Sequence, residues 1–307
     1  MLWGLTFLCP VVVDNAIANN ANSTSSQLLG TPTALGSESS PRRKHVKTVT
    51  DAWAPPDIDI VQPPTANATS CSLSDVISNV GMRVDAFFDN LNRITAIETV
   101  QHQTVSRSGT LHNPEIHKTD YAALVGRTPG GYLSLEEYRG LHLRDSDVSS
   151  DDITMAGVFT FAAIFQSNYV KGYQMTCEGL GTWQGQPAWQ VRFEELPDNA
   201  HHIGTLIMKD KAYALRVRGR AWILADSYQL VRVETDLVQA IPEIRLRLQH
   251  EVIEYSLVRL SNTDAVMLPS SSEVYMDFLG HRFYRRHSYT NFQLFSVKVH
   301  EKLGGVK

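Results

Sequence analysis

The sequence predicts an α+β fold: a large curled antiparallel sheet, forming an open half β-barrel, with helices packed on its concave side. One amphipathic helical stretch begins near residue 72, and a second, apolar helical stretch occupies residues 151–165. From residue 169 onward the chain consists of strands separated by short turns, which predicts an antiparallel meander. An open sheet of about nine to eleven strands curls strongly, and the two helices are available to fill its concave side.

The best-defined strands form the hairpin at residues 219–236, which turns at residues 225–227. Trp222 belongs to the first strand, and the pattern does not decide whether it lines a cavity or fills one. The second strand has the period of two of a half-buried strand, with Val231, Val233 and Thr235 on the apolar face and Arg232, Glu234 and Asp236 on the charged face.

The first helix is predicted to begin at Ser72, because Ser72 followed by Asp75 resembles a capping box. Apolar residues then recur every three or four positions over about five turns, which gives one wide apolar stripe. The stripe comprises Leu73, Val76, Ile77, Val80, Val84, Phe87, Phe88 and Leu91.

Residues 151–165 are predicted to form the second helix. Ser149 or Ser150 can cap it, and Asp151 and Asp152 suit the positive end of the helix dipole. The remainder, ITMAGVFTFAAIF, is apolar nearly all round. Such a helix is buried in the core, or else it covers a hydrophobic cavity or contacts lipid or a partner.

Three segments divide the chain. Residues 1–18 resemble a signal peptide, with an apolar run at 2–13 followed by Ala16-Ile17-Ala18, and so predict an exported, periplasmic or secreted protein without a transmembrane span. The alternative of a cytoplasmic chain stays open, because no Lys or Arg precedes the apolar run. The composition of residues 19–71, rich in Asn, Ser, Thr and Pro, predicts a disordered linker. Residues 72–303 are the predicted half-barrel domain.

Composition and motifs exclude several classes of function. The formal net charge of -4 gives no general attraction to nucleic acid. The sequence contains no Cys/His spacing of a zinc site and no motif of a cofactor-binding or catalytic site, so we predict neither metal nor cofactor and no enzyme activity. His201-His202 is interpreted as part of a surface turn, and His250 as a hydrogen-bonded core histidine.

The three cysteines leave one pairing open. Cys9 would leave with the signal peptide, so only Cys71 and Cys177 could pair in the exported chain. The alternative is a buried Cys177 and a free Cys71 in the linker.

Two hairpins and one dipeptide carry a family resemblance. GLGTWQGQPAWQVRF at 179–193 and GRAWILADSYQLVRVET at 219–235, with Leu268-Pro269 before the late strands, resemble the bacterial lipoprotein-localisation carriers and their relatives, which include periplasmic sigma-factor regulators. The resemblance covers residues 72–303 and implies the half-barrel with helices on its concave side. The family includes members that bind lipid or acyl groups and members that sense or dock on protein partners.

The predicted function is a non-enzymatic binding protein that holds a lipid, a lipoprotein acyl chain or a hydrophobic segment in the concave side of the sheet. The predicted lining consists of Phe159, Phe161, Val231, Val233, Leu246, Leu248, Val274, Met276 and Phe278. Arg282, Arg285 and Arg286 are predicted to form a rim for an anionic group, with an outer sheet face paired to carboxylates as the alternative.

Two alternative functions stay open. One is an envelope-sensing or partner-docking module, bound to an envelope protein, whose cavity is filled by its own side chains. The other, the least favoured, is a secreted hydrolase that uses His250 or the histidine pair.

Overall fold

The computed structural model describes residues 53–60, 62–65, 70–90, 93–140, 153–155, 158–208, 211–260 and 265–294. All of them fall within Val49–Lys307, the larger of the two units into which the chain divides. The predicted signal peptide and most of the predicted linker lie outside the described residues. Within those ranges, no helix has the length and apolar character needed to cross a membrane.

The helix predicted near residue 72 is confirmed as α1, Leu73–Asn90. Its apolar stripe is buried against the sheet, with Val76, Val80, Val84, Phe87 and Phe88 at its centre.

Three short 3-10 helices, Thr160–Phe165, Val170–Gly172 and Pro242–Ile244, and thirteen strands make up the rest of the described secondary structure. The strands are β1 (Arg93–Thr104), β2 (Glu115–Arg127), β3 (Leu133–Arg139), β4 (Ile153–Met155), β5 (Tyr173–Trp183), β6 (Gln186–Glu195), β7 (Gly204–Met208), β8 (Lys211–Leu215), β9 (Val217–Leu224), β10 (Leu230–Leu237), β11 (Leu246–Arg259), β12 (Ala265–Phe278) and β13 (His281–Leu294). Ten of them form one antiparallel sheet in the order β3-β2-β1-β13-β12-β11-β10-β9-β6-β5. The edges β3 and β5 do not pair, so the predicted open, curled sheet is confirmed. A second sheet has the order β4-β7-β8.

The second predicted helix is wrong in its form. Ile153–Met155 is strand β4, which pairs with β7, and Thr160–Phe165 is a short 3-10 helix. An apolar run without a polar stripe carries no periodicity that separates a helix from a strand, and Ile153 and Thr154 are β-branched. The 3-10 helix still packs against α1 on the concave side. The two backbones are so close that a Cβ atom added at Gly81 of α1 would lie 2.8 Å from the carbonyl oxygen of Phe165.

The large sheet has an inner face, which packs on α1, and an opposite outer face. Two β-bulges change which face a predicted residue occupies. The bulge between Leu230 and Arg232 places Val231 on the outer face beside Trp222, whereas Val233 stays on the inner face. The bulge between Leu246 and Leu248 places these two residues on opposite faces. Leu246 stays on the inner face, and Leu248 lies on the outer face with His250.

A strap, defined as residues 53–60 and 62–65, lies on the outer face of the sheet. Ile58 is buried there, and its amide donates to Asp236 Oδ2 at 3.0 Å. These residues belong to the range predicted as a disordered linker, yet they make specific contacts. The reason is that the outer face supplies charged partners for a segment that buries little apolar surface of its own.

Cys71 and Cys177 form a disulfide, which decides the pairing that the sequence left open. The bond joins the residue two places before α1 to strand β5, with 6.3 Å between the Cα atoms. The start of α1 and one edge of the sheet are therefore joined by a covalent link.

Candidate functional site

A cavity of about 680 Å³ lies between the second half of α1 and the ends of β10 to β13. Val84 and Phe87 of α1 form one wall. Leu230, Leu260, Val266 and Met267 form the opposite, apolar wall. Arg83 and Ala86 are exposed, so the cavity opens to solvent beside the helix.

Small side chains account for the empty volume. Ala86 of α1, Ala162 of the 3-10 helix and Ala265 of β12 all line the cavity. A large apolar residue at any of these positions would occupy part of the space between the helix and the sheet. The guanidinium of Arg83 donates to the carbonyl oxygen of Ser227 at 3.1 Å and so ties the helix to the hairpin beside the opening.

The nine predicted lining residues are not among those that line this cavity. Three of them, Phe159, Phe161 and Val233, are buried in the main core between α1 and the sheet. Four others pack in a second cluster beneath β7 and β8: Leu246, Val274, Met276 and Phe278. Val231 and Leu248 lie on the outer face. Alternation of residue types could not locate the cavity, because the cavity depends on where alanines of three separate elements meet.

The three predicted rim arginines lie on both faces of β13. Arg282 is on the outer face, where its guanidinium donates to the carbonyl oxygen of Ser106 at 3.1 Å. Arg286 shares that face and lies 3.7 Å from a carboxylate oxygen of Glu273. Arg285 is on the inner face and donates to His102 Nδ1 at 3.0 Å.

A polar cluster that the sequence did not predict lies on the inner face of β1, β3 and β13. Its centre is Glu98, which is fully buried. Arg139 donates to one carboxylate oxygen at 2.7 Å, and Tyr289 donates to the other at 3.0 Å. His287 Nδ1 lies 2.8 Å from the oxygen that Tyr289 contacts. Burial raises the pKa of Glu98, but the hydrogen bonds from His287 and Arg139 outweigh it and hold the pKa at about 2.

Glu251 is a second buried carboxyl group on the inner face. Ser272 donates to it at 2.9 Å. Burial, together with the charge of the neighbouring Glu137, outweighs the hydrogen bonds from Ser272 and Gln249 and raises the pKa of Glu251 to about 7. A protonated Glu251 therefore suits the folded state better than an ionised one.

We expect the Glu251→Gln variant to be more stable than the natural chain by about 3 kcal/mol at pH 8 and by little at pH 4. The folded-state pKa of about 7 lies above the ordinary value of 4.5, so the stability contributed by the protonated carboxyl is fully present below pH 4.5 and is lost as the pH rises through 7. Urea unfolding at several pH values measures the difference. The exposed Glu243→Gln is the control, and a pH-independent difference for Glu251→Gln would contradict the prediction.

His250 is buried and hydrogen-bonded as predicted, but it lies on the outer face of the sheet and not in the core. His250 is 1% exposed, and its Nδ1 lies 2.6 Å from Asp236 Oδ1. His201 is exposed in a turn and stacks on Tyr132 with ring centroids 3.7 Å apart, and His202 contacts Glu195. In the part of the chain that the structure describes, no group of His, Cys, Asp and Glu side chains could hold a metal ion.

Comparisons with known proteins find similarity at the level of solved structures. A LolA superfamily protein from Nitrosomonas europaea is 11% identical over 72% of this chain and 94% of its own, with a TM-score of 0.36. A DUF1329 family protein from Desulfovibrio piger is 10% identical over 73% and 94%, with a TM-score of 0.40. An outer membrane lipoprotein-sorting protein domain from Vibrio parahaemolyticus is 7% identical over 72% and 92%, with a TM-score of 0.38.

No protein-family model and no curated protein matches the chain. With structural similarity this low, the fold assignment rests on the strand order of the chain itself.

Proposed function

We propose that the chain is a non-enzymatic binding protein that holds an acyl chain or another hydrophobic segment in the cavity beneath α1. The observation that carries the proposal is a cavity of about 680 Å³ that has apolar side chains on both walls and opens to solvent between a helix and the concave face of a curled sheet. Pockets that bind small molecules typically measure about 300–1,000 Å³.

The energy of such binding follows from the apolar walls. Each methylene group transferred from water contributes about 0.8 kcal/mol, so a chain of several methylenes provides measurable affinity. Arg83 and Gln229 are polar residues of the lining, and they supply partners for a head group at the opening.

Export to an oxidising compartment is part of the proposal. The signal-like residues 1–18 support it, and so does the disulfide between Cys71 and Cys177, since structural disulfides persist mainly outside the cytosol.

A partner-docking module is the second candidate. It is favoured by the packing of Phe159, Phe161 and Val233 in the main core, because much of the concave side is filled by the protein's own side chains. In that case the cavity would bind no lipid, and the outer surface would carry the function.

Ala86→Trp is expected to weaken the binding of a fluorescent long-chain fatty acid by about tenfold, because the indole ring fills space that about two methylenes would occupy. Fluorescence titration of the full chain measures the dissociation constant. Native mass spectrometry of the protein purified without detergent should also detect a lipid adduct.

Met82→Trp is the matched control, because Met82 is on the same helix, 61% exposed and not part of the lining. It should leave the dissociation constant unchanged. Absence of both probe binding and a lipid adduct would reject the carrier function and favour the docking module.

A further inference from the structure

The strap crosses the outer face of the sheet from β13, the fourth strand in the order, to the edge strand β5. At the β13 end, the amide of Trp53 donates to the carbonyl oxygen of Gly109 at 2.7 Å and its indole donates to that of Phe283 at 3.2 Å. Thr65, at the other end, packs on Gly179 of β5. Seven strands, β13 to β5, lie between these contacts and span about 29 Å, which an extended segment of this length reaches.

Ile58 anchors the middle of the strap. Its side chain is 2% exposed, and both of its backbone polar groups are bound by charged side chains of the sheet. The amide donates to Asp236 Oδ2, and the carbonyl oxygen accepts from Arg220 Nη1 at 3.1 Å. Contacts to the backbone do not depend on the identity of the bound residue, so its side chain is selected only by the pocket that buries it. The pocket therefore favours an apolar residue in an extended or turning segment.

Two aspartates flank the anchor and meet two arginines. Asp59 lies 2.8 Å from Arg192 and 2.9 Å from Arg218, and Asp57 lies 3.8 Å from Arg218. Arg192 and Arg218 therefore place two positive charges beside the Ile58 pocket, and these charges favour an acidic segment.

Two glycines of β5 allow the strap backbone to come close to the sheet. A methyl group at Gly181 would lie 3.0 Å from the carbonyl oxygen of Pro64, and one at Gly179 would lie 3.1 Å from Cβ of Thr65. The outer face is thus shaped for a peptide along its length.

The strap is held mainly by polar contacts. Asp59, Arg192 and Arg218 are partly exposed, so their ion pairs are weak and screened by salt. Ile60 is 81% exposed and adds no buried apolar surface. Segments with few buried apolar contacts open at a free energy well below that of global unfolding.

We propose that the outer face is a peptide-binding groove that recognises an extended segment carrying an apolar residue between two aspartates, and that the strap is its releasable intramolecular occupant. A free peptide of the same chemistry binds the groove only when the strap has left it, because the tethered strap competes at an effective concentration of about 1 mM.

The test uses the full chain and a labelled synthetic peptide of residues 51–65. Ile58→Asp should release the strap, seen as faster hydrogen exchange at residues 53–60, and bind the peptide at least about tenfold more tightly than the natural chain does. Ile60→Asp is the matched control and should keep the strap in place and exclude the peptide. A peptide with Asp59→Lys should bind poorly.

If the Ile58→Asp chain does not fold, an exchange of charge between the groove and the peptide tests the same recognition. The Arg192→Glu/Arg218→Glu chain should release its strap and bind a peptide with Asp57→Lys and Asp59→Lys in preference to the natural peptide. Strap release without peptide binding, or equal binding by the natural chain and the Ile58→Asp chain, would overturn the proposal.

Discussion

Replacement of both Cys71 and Cys177 by alanine is expected to lower the free energy of unfolding by about 4 to 5 kcal/mol. The bond closes a loop with a sequence separation of 106 residues, and a cross-link of that span removes much of the conformational entropy of the unfolded chain. It also holds α1 at the edge of the sheet, which adds a native-state effect at the helix start.

Urea unfolding of the natural chain and the double alanine variant measures this loss. A reducing agent should lower the stability of the natural chain by a similar amount and leave that of the double variant unchanged. A difference below about 1 kcal/mol would show that strain in the native bond offsets its entropic contribution.

Arg220→Met is expected to lower the free energy of unfolding by about 3 to 5 kcal/mol, because it leaves Glu178 without its charged partner in a largely buried site. Arg220 is 1% exposed and contacts both carboxylate oxygens of Glu178, one of them at 2.9 Å. The variant also loses the bond to the carbonyl oxygen of Ile58, so the strap should exchange its amide hydrogens faster.

Arg218→Met is the matched control, since Arg218 is on the same strand and the same face but makes partly exposed ion pairs. It should cost about 1 kcal/mol or less. The double variant Arg220→Met/Glu178→Met should recover part of the loss, because no charge is left unpaired. Additive losses in the double variant would contradict this account.

The sequence predicted the sheet well because antiparallel strands carry their own signal in the alternation of residue types. The hairpin predicted at residues 219–236 is formed by β9 and β10, and the stripe of α1 lies where its period of about 3.6 residues places it. Alternation fails at a bulge, as Val231 and Leu248 show, because one extra residue reverses the face of everything that precedes it.

The two sites were harder to predict for a different reason. The cavity depends on alanines from α1, the 3-10 helix and β12, which only the tertiary structure brings together. The composition of the strap predicts a linker because prolines and aspartates outnumber its few apolar residues. The contacts that hold it are made by arginines more than a hundred residues later in the chain. From composition one can predict how much apolar surface a segment buries by itself, but not whether another part of the chain provides a surface that orders it.

The position of β1 beside β13 has a consequence for folding. Ile94 pairs with Leu294, so the central part of the sheet joins the first described strand to the last. Such pairings raise the contact order. The entropy of closing a long loop is lost before the contacts between the paired strands contribute any stability. We therefore expect slow folding, in which β1 to β3 join the sheet only after β13 has formed. The strap should dock last, after β9, β10 and β13 have formed its groove.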